Sequence, residues 1–217
     1  MNAQAELALQ IHAGDVSLEG DLRLPDNPLG LVMFAHGSGS SRHSPRNKHV
    51  ADVLHQSGIG TLLMDLLTVD EEAVDQYTRH LRFDIGLLAQ RLVAATDWLK
   101  EDPELTGLSL GYFGASTGAA AAIIAAAHRP EHIKAVVSRG GRPDLAGASL
   151  ALIKAPTLLI VGGDDYAVID LNRQAFARMT CEKRLEIVPG ATHLFEEPGT
   201  LDKAAELAAD WFGQYLG

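Results

Sequence analysis

Cysteine is almost missing from this chain: Cys181 is the only one in 217 residues. One thiol can form no internal disulfide and no thiolate metal cluster, so the sequence points to a reducing compartment and a fold held by its core alone. Long apolar runs are missing too. The longest, Ala119 to Ala127, is too short to span a bilayer, and the opening MNAQAELALQ has no basic segment followed by an apolar one. A cytoplasmic protein is expected. Positive charge is scarce, with 18 Lys and Arg against 28 Asp and Glu and a net charge of −10. No basic stripe stands out, which argues against nucleic acid or an anionic membrane as partner and leaves a small-molecule substrate. Oligomeric state cannot be read from these features.

What is present is enough for one core, because 47% of the residues are apolar. Without repeats, low-complexity tracts or a Pro/Ser-rich linker, residues 1–217 read as a single domain. Glu6 to His12 and Val16 to Leu24 alternate at period two across Ala13-Gly14-Asp15, the pattern of an antiparallel hairpin. Short apolar runs then follow: Leu31–His36, Thr61–Leu67, Ser109–Phe113, Lys134–Ser138, Pro156–Gly162 and Arg184–Val188. Such runs suit strands buried on both faces. Helices are expected over Arg46–Gln56, Arg79–Lys100, Thr117–Arg129, Leu145–Ile153, Leu171–Met179 and Leu201–Leu216. This alternation predicts an α/β fold, a parallel sheet covered by helices on both sides.

In such sheets ligands bind where strands hand over to helices at their carboxyl ends. The stretch Gly114-Ala115-Ser116-Thr117-Gly118 lies at one of these handovers. A serine projected from a tight strand-to-helix turn needs neighbours without bulk two positions away on each side, and both are glycine. Ser116 is therefore the candidate nucleophile. A hydroxyl needs a base within reach and a group to orient that base. Among nine histidines, His128 and His132 follow the helix after Ser116 and fall at the far end of the sheet. His193 sits beyond the last predicted strand, at the same edge as Ser116, and is the candidate base. Asp164 and Asp165 follow the strand Pro156–Gly162 at that edge and are candidate orienting acids, while Glu196 and Glu197 are substitutes in principle. The order Ser, Asp, His follows.

These motifs, together with HGSGSSRHSPRN (His36–Asn47), SRGGRPDLA (Ser138–Ala146), LLIVGGDD (Leu158–Asp165) and GATHLFEEPG (Gly190–Gly199), make the chain resemble α/β-hydrolase-fold proteins. Within that fold it is similar to the dienelactone-hydrolase-related group of small esterases. The resemblance implies a mostly parallel eight-stranded sheet with an antiparallel second strand, and it favours Asp165 over Asp164 as the acid. The sequence departs from dienelactone hydrolases proper in having Ser116 where they use cysteine, and His36-Gly37 where they carry a glutamate. The dienelactone substrate therefore does not carry over.

The expected oxyanion hole consists of the Thr117 N–H and one from Gly37 or Ser38. Arg42, Arg46, Arg139 and Arg142 follow strands at the same edge and are candidate substrate-binding residues for an acidic ester, although ordinary ion pairing such as Arg142 with Asp144 would equally explain them. Gly37-Ser38-Gly39 with Asp65 is only a faint dinucleotide fingerprint: Arg42 replaces its third glycine. Residues 139–156 leave room for one short helix and no cap domain. The functional expectation is a lidless serine esterase, also competent in principle for a lactone or thioester, that calls for no metal or organic cofactor. The alternative is an inactive hydrolase scaffold used for binding.

Overall fold

The apolar runs become strands because each can bury alternate side chains on opposite faces. In β3 (Leu31–Ala35), Leu31, Met33 and Ala35 enter one core cluster, and Val32 and Phe34 enter the other. In β5 (Leu110–Ala115), Tyr112 and Phe113 divide in the same way, and Phe113 packs on Phe34 with ring centroids 4.9 Å apart. The computed structural model describes residues 6–217 and joins these strands into one eight-stranded sheet, ordered β1-β2-β4-β3-β5-β6-β7-β8. The other strands are β1 (Leu7–Ala13), β2 (Val16–Arg23), β4 (Gly60–Met64), β6 (Ile133–Arg139), β7 (Thr157–Gly162) and β8 (Lys183–Val188). Only β1 and β2 break the parallel pattern: they form the predicted hairpin, and β2 also runs antiparallel to β4. This is the α/β-hydrolase sheet.

Helices cover both faces. On one side, α1 (Pro45–Gln56) and α7 (Thr200–Leu216) pack over Val32, Phe34 and Phe113. On the other, α3 (Ile85–Glu101) and α4 (Thr117–His128) cover Met33, Leu62 and Tyr112. Six alanines of α4 (Ala119 to Ala122, Ala125 and Ala126) are buried, so the helix can lie close to the sheet. The remaining helices are α2 (Val69–Thr78), α5 (Ser149–Leu152) and α6 (Tyr166–Arg178).

The structure changes several predicted boundaries. The helix expected over Arg79–Lys100 begins only at Ile85, after a 3-10 turn at Leu81–Phe83 and the N-cap Asp84, whose side chain accepts from Leu87 N–H. Arg79, at φ 54°, instead closes α2 in a left-handed conformation. No helix was expected over Val69–Thr78, because VDEEAVDQYT lacks an apolar stripe; reciprocal Thr68–Glu71 capping bonds hold it. The helix expected over Leu145–Ile153 divides into a 3-10 turn at Pro143–Ala146 and the single turn α5, so the β6–β7 connection holds no cap. No helix among the described residues is long and apolar enough to cross a membrane. The leader reading of the opening segment falls partly on residues 1–5, outside the described residues.

Backbone packs very closely where α4 meets the ends of β3 and β5. A Cβ on Gly118 would stand 2.2 Å from the Ala35 carbonyl oxygen, and one on Gly114 would stand 2.4 Å from Ala119 Cα. Backbone cannot swing aside as a side chain can. Gly118→Ala is therefore expected to destabilise the fold by about 1–3 kcal/mol or more, measured by urea unfolding against wild type.

Candidate active site

Ser116 joins β5 to α4 with φ 50° and ψ −123°, a conformation costing on the order of 1–3 kcal/mol for a residue with a side chain. Bonds to the end of β6 hold it there: Ser116 N–H donates to Arg139 O (3.3 Å), and Arg142 N–H donates to Ser116 O (3.0 Å). Its hydroxyl makes no capping bond to α4, which leaves Oγ available for chemistry.

Asp165 precedes α6 but does not cap it; its Oδ2 lies 2.7 Å from His193 Nδ1 instead. An ionised carboxylate can only accept, so Nδ1 carries a proton and the neutral ring presents Nε2 as its lone pair. Asp164 enters this region through its backbone, donating N–H to Ala191 O at 2.9 Å. The loop carrying His193 is fixed from both ends. Glu197 accepts from Thr192 N–H and Oγ1 at 3.0 and 2.6 Å, and a Cβ on Gly162 would meet Ala191 O at 2.4 Å. Glu197 thus braces the loop, while Glu196 reaches Arg46 at 3.7 Å. Ser116 and His193 line one pocket of about 260 Å³, together with Gly37, Ser38, Arg46 and Arg139.

The two walls of the expected oxyanion hole are tied together. Ser38 N–H donates to the Thr117 hydroxyl at 2.9 Å, so this donor is already engaged. Gly37 lies directly against Ser116, where a Cβ would be 3.0 Å from Ser116 Cβ. Sequence reasoning missed the contribution of His36. Its Nε2 accepts from Leu66 N–H at 3.2 Å, so Nδ1 bears the proton and donates to Gly37 O at 2.9 Å. Burial pushes the imidazole below its ordinary value, against weaker opposing effects of the Gly37 carbonyl, Asp65 and Glu72. The neutral ring clamps the Gly37 peptide to the end of β4. The adjacency of His36 to Gly37 was visible in the sequence, but the Leu66 N–H partner comes from the loop after β4.

The four arginines divide into two groups. Arg42 is held by Asp65, by Glu19 at 2.7 Å and by Asp21 at 3.4 Å, and Arg142 makes a two-pronged pair with Asp144 at 2.9 and 2.8 Å. Neither lines the pocket of Ser116, whereas Arg46 and Arg139 do. A larger cavity of about 590 Å³, between α2 and residues 39–45, adjoins that pocket through Ser40 and Ser44.

Two outcomes follow from these contacts. Thr117→Val strands the Ser38 N–H and is expected to cost about 1–3 kcal/mol, whereas Thr117→Ser keeps the acceptor; chemical denaturation of both variants checks this. His36 binds its proton less readily folded than unfolded, so folding loses stability as pH falls from the ordinary value of 6.5 toward the lower folded value. His36→Gln should flatten the pH dependence of unfolding free energy below the ordinary histidine value of 6.5; an unchanged slope would contradict it.

Comparison with known proteins agrees with this fold. The model of the dienelactone hydrolase family matches residues 18–216. A protein of Mycobacterium tuberculosis strain H37Rv, named "Putative phosphoribosyl transferase", is 56% identical over 208 residues, which are 96% of this chain but 46% of that protein. The chain thus spans about half the length of that relative. The crystal structure of a dienelactone hydrolase from Anabaena variabilis superimposes with a TM-score of 0.97 at 59% identity, covering 98% of this chain and 99% of that one. Est1E from Butyrivibrio proteoclasticus shares the fold, with a TM-score of 0.78 at 17% identity over 95% and 98% of the two chains. With its elbow, its sheet order and a family match running from β2 into α7, this chain belongs to the dienelactone hydrolase family.

Proposed function

We propose that this chain is a serine hydrolase that cleaves a small carboxylic ester through an acyl-enzyme. The observation that carries the reading is the 2.7 Å His193–Asp165 bond, made by a histidine that shares its pocket with the strained Ser116. Ser116 Oγ attacks the carbonyl carbon while His193 Nε2 takes the hydroxyl proton. The carbonyl π electrons move to oxygen, and the oxyanion is met by the Thr117 and Gly37 N–H groups. Collapse expels the alcohol, which receives the proton from His193. Water, deprotonated by His193, then attacks the acyl-enzyme and releases the acid and Ser116. Asp165 stays ionised and holds the tautomer throughout.

Thr117 serves twice, its N–H at the oxyanion and its hydroxyl as the anchor of the opposite wall. The absence of a cap between β6 and β7 leaves His193 partly exposed, which suits a small substrate arriving directly from solvent. A lactone or thioester would pass through the same steps. The transferase in the name of the longer relative belongs to that protein; a hydroxyl, an imidazole and a carboxylate in this order are the equipment of acyl transfer.

Treatment with a fluorophosphonate, followed by peptide mass spectrometry, should give one adduct on Ser116. Cleavage of p-nitrophenyl acetate should be abolished in Ser116→Ala and reduced roughly 10³-fold or more in His193→Ala. A folded wild-type protein that takes no adduct and cleaves no ester would overturn the proposal in favour of a binding scaffold.

A further inference from the structure

Arg139 ends β6 and pairs in register with Ala115, the residue before the nucleophile. Its side chain is buried, the residue being 6% exposed, and its guanidinium carbon stands 5.6 Å from the centre of the Phe195 ring. Buried guanidinium groups are normally matched by carboxylates, because an uncompensated charge away from water is costly. Even arginines with more exposed side chains have such partners: Arg82 meets Asp75, Arg129 meets Asp97, and Arg42 meets Asp65, Glu19 and Asp21. Among the described residues no carboxylate pairs with Arg139, and its Nε is buried without a hydrogen-bond partner. Arg46 lines the same pocket, and its Nε is likewise buried and unpartnered; its contact with the exposed Glu196 is long, at 3.7 Å. Burial, with Arg46 adding repulsion, pulls the Arg139 guanidinium down to about 10, so it remains a cation at neutral pH.

Arg139 and Arg46 both border the pocket that holds Ser116 and His193. The adjoining cavity has the opposite character. Glu19, Asp65 and Glu72 line it, and its Arg42 is already engaged by three carboxylates. We propose that Arg139, assisted by Arg46, binds a single carboxylate or phosphate group at one end of the substrate, whose other end is neutral or cationic. The planar guanidinium, fixed against Phe195, presents paired donors suited to either anion. The inference rests on the hydrolase reading for the ester, but the anion site itself stands on Arg139 and Arg46.

The test compares kcat/KM of the full chain on p-nitrophenyl acetate, mono-p-nitrophenyl succinate and 4-acetoxybenzoate, which carry no anion, an acyl-side anion and a leaving-group anion. In parallel, thermal stabilisation of Ser116→Ala by succinate and by inorganic phosphate reads binding without turnover. Wild type should prefer one of the anionic esters, relative to acetate, by about tenfold or more, and Arg139→Gln and Arg46→Gln should each erode that ratio. Stabilisation by either ion should depend on Arg139, and the stronger ion identifies the anion as carboxylate or phosphate. If Arg139→Gln does not fold, Arg46→Gln carries both readouts. Dependence on these arginines in either readout supports the proposal; dependence in neither overturns it. Turnover of acetate by Ser116 without any anion effect would leave the hydrolase standing alone, whereas arginine-dependent ion binding without turnover of any ester would leave only the anion site.

Discussion

The site depends on one backbone contact, the approach of the first turn of α4 to the last carbonyls of β3. A Cβ on Gly118 would sit 2.2 Å from Ala35 O and 2.5 Å from His36 O, so this closeness exists only because a glycine permits it. From it the other features follow. The chain must turn at Ser116 within one residue, which throws φ to +50° and lifts Oγ clear of helix capping. The same closeness lets the Thr117 hydroxyl reach Ser38 N–H and places Gly37 against the Ser116 side chain. One steric constraint thus positions Ser116 and both walls around the expected oxyanion.

The parts legible in the sequence were those encoded locally. Gly114 and Gly118 around Ser116 mark the elbow because only glycine tolerates backbone that near, and the apolar runs mark strands because both faces of this sheet are buried. The β1–β2 hairpin showed in its alternation, and the lack of a cap showed in the short β6–β7 connection. Helix α2 was not legible from periodicity, since its acidic and polar residues leave only Asp75 buried; the Thr68–Glu71 capping pair was the available signal.

What the sequence could not separate were choices made by partners distant along the chain. Four arginines follow strands at one edge and look alike in one dimension. Arg42 is taken up by Glu19, Asp21 and Asp65, which arrive from β2 and the end of β4, and Arg142 by Asp144 two residues away. Arg139 meets no carboxylate among the described residues, and Arg46 has only the long contact with Glu196 at 3.7 Å. Asp164 and Asp165 were similarly adjacent, and the direction of the chain entering α6 turns the second toward His193 while the first bonds through its backbone to Ala191. His36 belongs to the same class, because its role depends on an N–H contributed by Leu66 after β4.

Two kinds of departure from ordinary folding rules meet beside Ser116. Of the described residues other than glycine with positive φ, Asn27 lies in an exposed bend and Arg79 at the end of a helix, where left-handed backbone is commonplace. The other two, Ser116 and Phe195, are the elbow and the ring beneath Arg139. The buried guanidinium without a carboxylate lies between them, in a chain with a net charge of −10 and ample acid to neutralise it. Each feature costs stability, and the surrounding core, apolar on both faces of the sheet, can bear that cost. Strained backbone at Ser116 and uncompensated charge on Arg139 have separate physical origins, and they meet at one small pocket independently of the order of Ser116, Asp165 and His193 along the chain.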